Sequence, residues 1–202
     1  MLALLRALAR NCATETSQSK LAAEAEISSV SVRKYLVTLT RLFVLEEQFA
    51  WSPRLRSAVR KRVRPKWHFV DPSLAAHLLG GSPSRFLNDL ETLGFLFESL
   101  CIRDLRVYSQ LLDGTVLHYR DENGLEVDAI VELRDGSWAA FEIKLGGKAA
   151  IETAARSLNA LVKKLSDEER QRMRSLNVLT AGTASYPRPD GVNVISLGHL
   201  RP

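Results

Sequence analysis

The sequence predicts an α+β chain in two modules, a helical one over residues 1–72 and a strand-rich one over 73–202. Three observations predict it. Apolar residues recur at helical spacing from Leu2 to Phe43 and again from Phe86 to Leu105. Between Leu125 and Leu145, two arms of β-branched and aromatic residues alternate with period two around Arg134-Asp135-Gly136, which is a hairpin signal. A further helical pattern and two short apolar runs, 175–180 and 192–197, follow that hairpin.

In chain order, Leu2, Leu5, Leu8, Ala9 and Cys12 mark a first helix, and Lys20 to Glu26 a second that stops near Ile27. Ser28 or Ser29 can cap a third, with Val32, Tyr35, Leu36, Leu39 and Phe43 as its apolar face. Residues 43–47 and 67–71 read as strands on either side of a basic segment. Three helices and two strands around a basic loop resemble a winged helix. Ser29, Ser31, Arg33 and Lys34 would then face a major groove, with the loop as wing. The same module also fits protein docking or a spacer. Ser73 to Leu79 reads as a short helix ending at Gly80-Gly81, and Ser82-Pro83-Ser84 as a linker. A long apolar helix from Phe86 follows, with Glu98 the one charge in its apolar centre. Such an acid needs a partner if buried, or lies at the helix edge. Thr115 to Tyr119 is a strand, and Ala150, Ala154, Leu158, Leu161 and Leu165 mark the helix after the hairpin.

The hairpin carries the chemistry. With the loop centred on Asp135, residues whose numbers sum to 270 face each other, so Asp128 lies across from Glu142 and Glu126 across from Lys144. Val127, Ala129, Val131, Leu133 and their odd-numbered partners make an apolar core face. The other face holds two acids beside a lysine. Paired carboxylates repel unless a positive charge stands between them, and Mg²⁺ favours one or two carboxylates with water. Lys144, two residues beyond Glu142, points the same way and could hold a water or a phosphate oxygen. A solvated strand face with Glu–Lys pairing accounts for the same residues, and a one-residue bulge would break the alignment.

Composition narrows the classes. A hydrophobic content of 46% and charged content of 25% suit a globular chain. No apolar run reaches membrane-span length, so no membrane partner is expected. Cys12 and Cys101 are isolated, which suggests reduced thiols and a cytoplasmic location, and the four histidines lack metal-ligand spacing. The net charge of +5 is local. Arg54, Arg56, Arg60, Lys61, Arg62, Arg64 and Lys66 cluster without an acid between Gln48 and Val70, and the rest of the chain is close to neutral. Arg60, Lys61, Arg62 and Arg64, with Arg33 and Lys34, are the candidate nucleic-acid contacts, and DNA the expected partner. A solvated loop is the other reading of the segment. No G-x-x-x-x-G-K-[ST] occurs, so no P-loop ATP hydrolysis is expected of this chain.

Helix–strand–strand–strand–helix–strand with Glu98, Asp128 and Glu142-Ile143-Lys144 resembles the PD-(D/E)XK restriction-endonuclease-like superfamily. The chain more narrowly resembles domain of unknown function number 4143, found at the C-terminus of AAA+-type ATPases. The matching stretches are Ile27-Ser28 with Tyr35-Leu36, His68 to Ala75, Gly94 to Glu98, Tyr119-Arg120-Asp121, Gly124 to Asp128, and Glu142 to Lys144. The resemblance implies a nuclease-like core (α-β-β-β-α-β) and Mg²⁺ held by Asp128 and Glu142. Lys144 would act on the water or the scissile phosphate, with Glu98 as a supporting helix acid. It also implies a P-loop ATPase domain as partner, either in the same longer chain or separate. Two functions follow as expectations: Mg²⁺-dependent DNA phosphodiester hydrolysis, or a non-catalytic DNA- or protein-binding module of an ATPase with a vestigial site. Val127 replaces a Pro common in the superfamily, and the helix over 149–165 lacks a Gln that related nucleases often use, so the resemblance reaches further for fold than for cleavage.

Overall fold

The computed structural model describes residues 1–53 and 63–201. Arg54, Arg56, Arg60, Lys61 and Arg62 of the basic segment lie outside the described residues. The fold is mixed α+β, in two compact units. One is formed by Met1–Phe49 with Arg64–Leu100 and the other by Ala50–Val63 with Cys101–Pro202. This division follows packing, whereas the sequence boundary at 72/73 follows the order of predicted elements.

In the first unit, α1 (Leu2–Arg10), α2 (Gln18–Ala25) and α3 (Ser29–Arg41) precede an antiparallel pair, β1 (Leu45–Gln48) and β2 (Lys66–Phe69). Ser17 caps α2, and Glu26 ends it in the left-handed conformation at φ 53°. Ser28 caps α3 by accepting from the Ser31 N–H at 3.1 Å. Val32, Leu36 and Leu39 turn inward, as the spacing predicts. Phe43 does not. The helix closes at Leu42, and Phe43 takes φ +55°, so it leaves the helical period and stands 78% exposed. Asp71 caps α4 (Pro72–Leu79), which ends at left-handed Gly80. Ser82-Pro83-Ser84 is not a linker. Ser82 caps the short α5 (Pro83–Leu87) and Pro83 occupies its first turn, where a missing N–H costs nothing.

Helix α6 (Leu90–Gln110) has residues in both units. The second unit is a six-stranded sheet of order β3-β4-β5-β6-β8-β7, comprising β3 (Thr115–Arg120), β4 (Glu126–Glu132), β5 (Trp138–Lys144), β6 (Met173–Thr180), β7 (Tyr186–Pro187) and β8 (Val192–Ser196). β3, β4 and β5 are antiparallel, while β5, β6 and β8 are mutually parallel. The crossover from β5 to β6 runs through α7 (Lys148–Lys163) and the short α8 (Asp167–Gln171). Ala154, Ala155, Leu158 and Leu161 of α7 pack on Ile130, Trp138, Ala140 and Val178. The core face against α7 is thus the even-numbered face of β5, not the odd-numbered one that the alternation suggests. The odd-numbered Ala129, Phe141 and Ile143 are buried as well, as expected of a sheet that gains parallel strands. Among the described residues no helix is long and apolar enough to cross a membrane, and neither cysteine forms a disulfide.

Candidate functional site

The β4–β5 turn sets the register. Gly136, at φ +78°, gives its N–H to the Leu133 carbonyl at 3.0 Å, and the Leu133 N–H reaches the Ser137 carbonyl at 2.9 Å. Three loop residues ending in a left-handed glycine fix the strand offset. Pairs from Glu132↔Trp138 to Ala129↔Phe141 follow, all on the expected register. The ladder stops one pair short of Asp128 and Glu142. There the Ile143 N–H donates to the Asp128 carboxylate, at 2.8 Å from Oδ2.

The other edge of β4 is irregular. Leu117 pairs with Ile130 but Tyr119 with Val127, so Asp128 and Ala129 together face His118. This bulge bends β4 at the candidate acid. It lies on the β3 side and leaves the β5 alignment intact.

Asp128 and Glu142 converge on one cation. The Lys144 Nζ stands 3.0 Å from Asp128 Oδ2 and 2.7 Å from Glu142 Oε2. Both acids are buried, at 8% and 5% exposure, which is not a solvated strand face. Glu126 instead meets Arg120 at 3.8 Å. Burial, and then the charge of Asp128, push the Glu142 carboxyl up to about 8 against the lowering effect of Lys144. Burial alone would lower the Lys144 ammonium, but the two carboxylates outweigh it and raise it. Glu142 therefore holds its proton more tightly than an ordinary carboxyl, and Lys144 more tightly than an ordinary ammonium. The oxygens of this triad are hard, converge on one point, and suit a small divalent cation that keeps most of its waters. Among the described residues no group of three or more His, Cys, Asp or Glu side chains could hold a metal. Mg²⁺ fits two carboxylates better than a metal needing a full protein cage.

Glu98 is buried at 8% and takes the Lys66 ammonium at 2.9 Å. It belongs to the first unit, and Asp128, Glu142 and Lys144 to the second. The buried acid thus has its partner, in a residue that the sequence groups with the basic segment. Lys66 is instead the first residue of β2, at 3% exposure. Beside this pair, the His68 Nε2–H donates to Gln48 Oε1 at 3.0 Å, and Ser99 Oγ lies 2.9 Å from His68 Nδ1 and 3.0 Å from Cys12 Sγ. Arg33 and Lys34 are exposed on α3, and Arg64 is exposed before β2.

A family model for a domain of unknown function, DUF4143, matches residues 93–200, just over half of the chain. The chain belongs to the DUF4143 family. A second model, for the domain of unknown function DUF8612, matches residues 1–85. The DUF4143 match covers Asp128, Glu142 and Lys144, whereas the stretches around Ile27-Ser28, Tyr35-Leu36 and His68–Ala75 fall in the other match. No match was found among curated proteins.

Two features of the second unit carry no sequence signal. Trp51 Nε1 donates to Glu132 at 3.0 Å and its ring lies 5.2 Å from that of Trp138, bordering a cavity of about 340 Å³ at the turn end of the hairpin. At the opposite end, Ser185 and His199 meet at 2.8 Å. Neither pair is periodic or close in sequence, so only the fold brings it together.

Proposed function

We propose that this DUF4143 member is a Mg²⁺-dependent phosphodiesterase acting on DNA, with a PD-(D/E)XK nuclease-like core, a winged-helix-like N-terminal module and an association with an AAA+-type ATPase. The observation that carries the reading is the convergence of two buried carboxylates on one point, with the Lys144 ammonium within 3.0 Å of both. Asp128 and Glu142 would hold the ion. When bound, Mg²⁺ supplies a Lewis acid that activates water and stabilises charge on the leaving oxygen. The chain's own residues do the rest. The Ile143 N–H orients Asp128, burial keeps the acids from bulk water, and the Lys144 ammonium, once released from them, takes up phosphate charge. Exposed Arg33 and Lys34 on α3 would hold the DNA backbone, with Arg60, Lys61, Arg62 and Arg64 of the basic segment.

One observation favours a second reading. Lys144 already stands as counter-ion to both acids, as it would in a vestigial site of a non-catalytic module of an ATPase. Plasmid nicking separates the two. The first reading predicts nicking by the wild type with Mg²⁺, loss in EDTA, and loss in Asp128→Asn and Lys144→Ala. Absence of nicking in a wild type that still binds DNA selects the second.

A further inference from the structure

The carboxyl ends of β5, β6 and β8 carry a second polar group beside the acid pair. The parallel register places Lys144 opposite Thr180, and Thr180 opposite Ser196, so these three side chains share one face. Two of them anchor the loop that leaves β6. Thr180 Oγ1 accepts from the Gly182 N–H at 3.3 Å, and the Ser196 hydroxyl donates to the Gly182 carbonyl at 2.6 Å. The loop then brings Ser185 over the end of β8, where its Oγ accepts from the Ser196 N–H at 2.9 Å. His199, on the 3-10 turn after β8, lies with Nδ1 at 2.8 Å from that same Oγ.

The bonding fixes the imidazole. The Ser185 oxygen accepts from the Ser196 N–H and pairs with His199 Nδ1, so the ring is tethered at Nδ1 and Nε2 is the nitrogen left for a ligand. The same tether serves either tautomer, and the form with Nε2–H offers a phosphate oxygen a donor. Both Ser185 and His199 are exposed, so the tethered imidazole is accessible to a ligand. Open sheets bind ligands beyond the carboxyl ends of parallel strands. Adjacent strands are roughly 4.8 Å apart, which sets the Ser196 Cα about 10 Å from that of Lys144. A polynucleotide spans that distance, and a single phosphate group does not.

We propose that His199, held by Ser185 at the carboxyl ends of β6 and β8, is a contact for a DNA backbone phosphate that positions the strand across the acid pair. The inference rests on the DNA-directed reading of that site. The test measures the affinity of a short fluorescein-labelled DNA by anisotropy in EDTA, together with KM and kcat for nicking in Mg²⁺. His199→Ala and Ser185→Ala should each weaken binding about tenfold, as expected for one hydrogen bond to a charged oxygen. The double variant should be no weaker than His199→Ala, because Ser185 acts through the ring. His199→Gln, which keeps a neutral N–H donor, should recover most of the affinity. KM should rise with kcat and melting temperature unchanged, and inorganic phosphate at matched ionic strength should not displace the DNA. Unchanged affinity in both alanine variants overturns the contact while leaving the DNA reading intact. So does a loss that follows melting temperature and is not rescued by Gln, or displacement by inorganic phosphate. A wild type that binds no DNA overturns both.

Discussion

Two buried charges show how pairing decides what a residue does. Glu98 and Lys66 are both removed from water and meet at 2.9 Å. Removing one partner of a buried pair leaves an uncompensated charge, whereas replacing both with apolar groups can be neutral. Glu98→Leu should therefore cost about 3–5 kcal/mol in urea unfolding, and adding Lys66→Met should recover most of it. An additive double variant would mean that the pair is not the source of the loss. Glu142 has the opposite balance, because its carboxyl is raised from 4.5 to about 8. Below pH 4.5 the folded and unfolded chains both keep the proton, between 4.5 and 8 only the folded chain does, and above 8 neither does. The stability contributed by that proton is complete below the unfolded value and is lost as pH rises to the folded one, at up to about 1.4 kcal/mol per pH unit. In EDTA, Glu142→Gln should remove this decline and be the more stable protein at pH 8. Parallel wild-type and variant curves would show that Glu142 ionises normally.

At the scale of elements, regular pattern was legible and local exceptions were not. The hairpin register could be read because period two and a glycine-ended turn admit one offset, and it placed Asp128, Glu142 and Lys144 together. The bulge opposite His118 could not, since a single extra residue leaves the alternation of β4 unchanged in sequence. Phe43 continues the helical spacing of α3, yet the left-handed backbone after Leu42 turns it outward. Lys66 reads as one more residue of a basic run, because nothing in the sequence links it to an acid 32 positions away. Helix α3 offers the direct test of the N-terminal module. Arg33 and Lys34 are exposed, so Arg33→Ala with Lys34→Ala should leave the melting temperature unchanged. The slope of DNA affinity against salt should flatten by about one for each phosphate that the variant no longer neutralises. Unaltered DNA binding would assign this face to protein docking.

On the scale of the whole molecule, periodicity made the α+β class legible and composition the globular character, and the proposed function rests on one site rather than on overall charge. The triad sits in the DUF4143 region, where a sheet buries two acids and holds an ammonium between them. That ammonium occupies the point at which a divalent ion would bind, so Lys144 is both a counter-ion and a competitor. Isothermal titration of Mn²⁺ or Mg²⁺ into the metal-free protein tests this most directly. The account predicts a binding event in the wild type, its loss in Asp128→Ala and in Glu142→Ala, and binding at least as tight in Lys144→Ala, where the competing cation has gone. No divalent binding by the wild type, or binding that survives removal of both carboxylates, would contradict it.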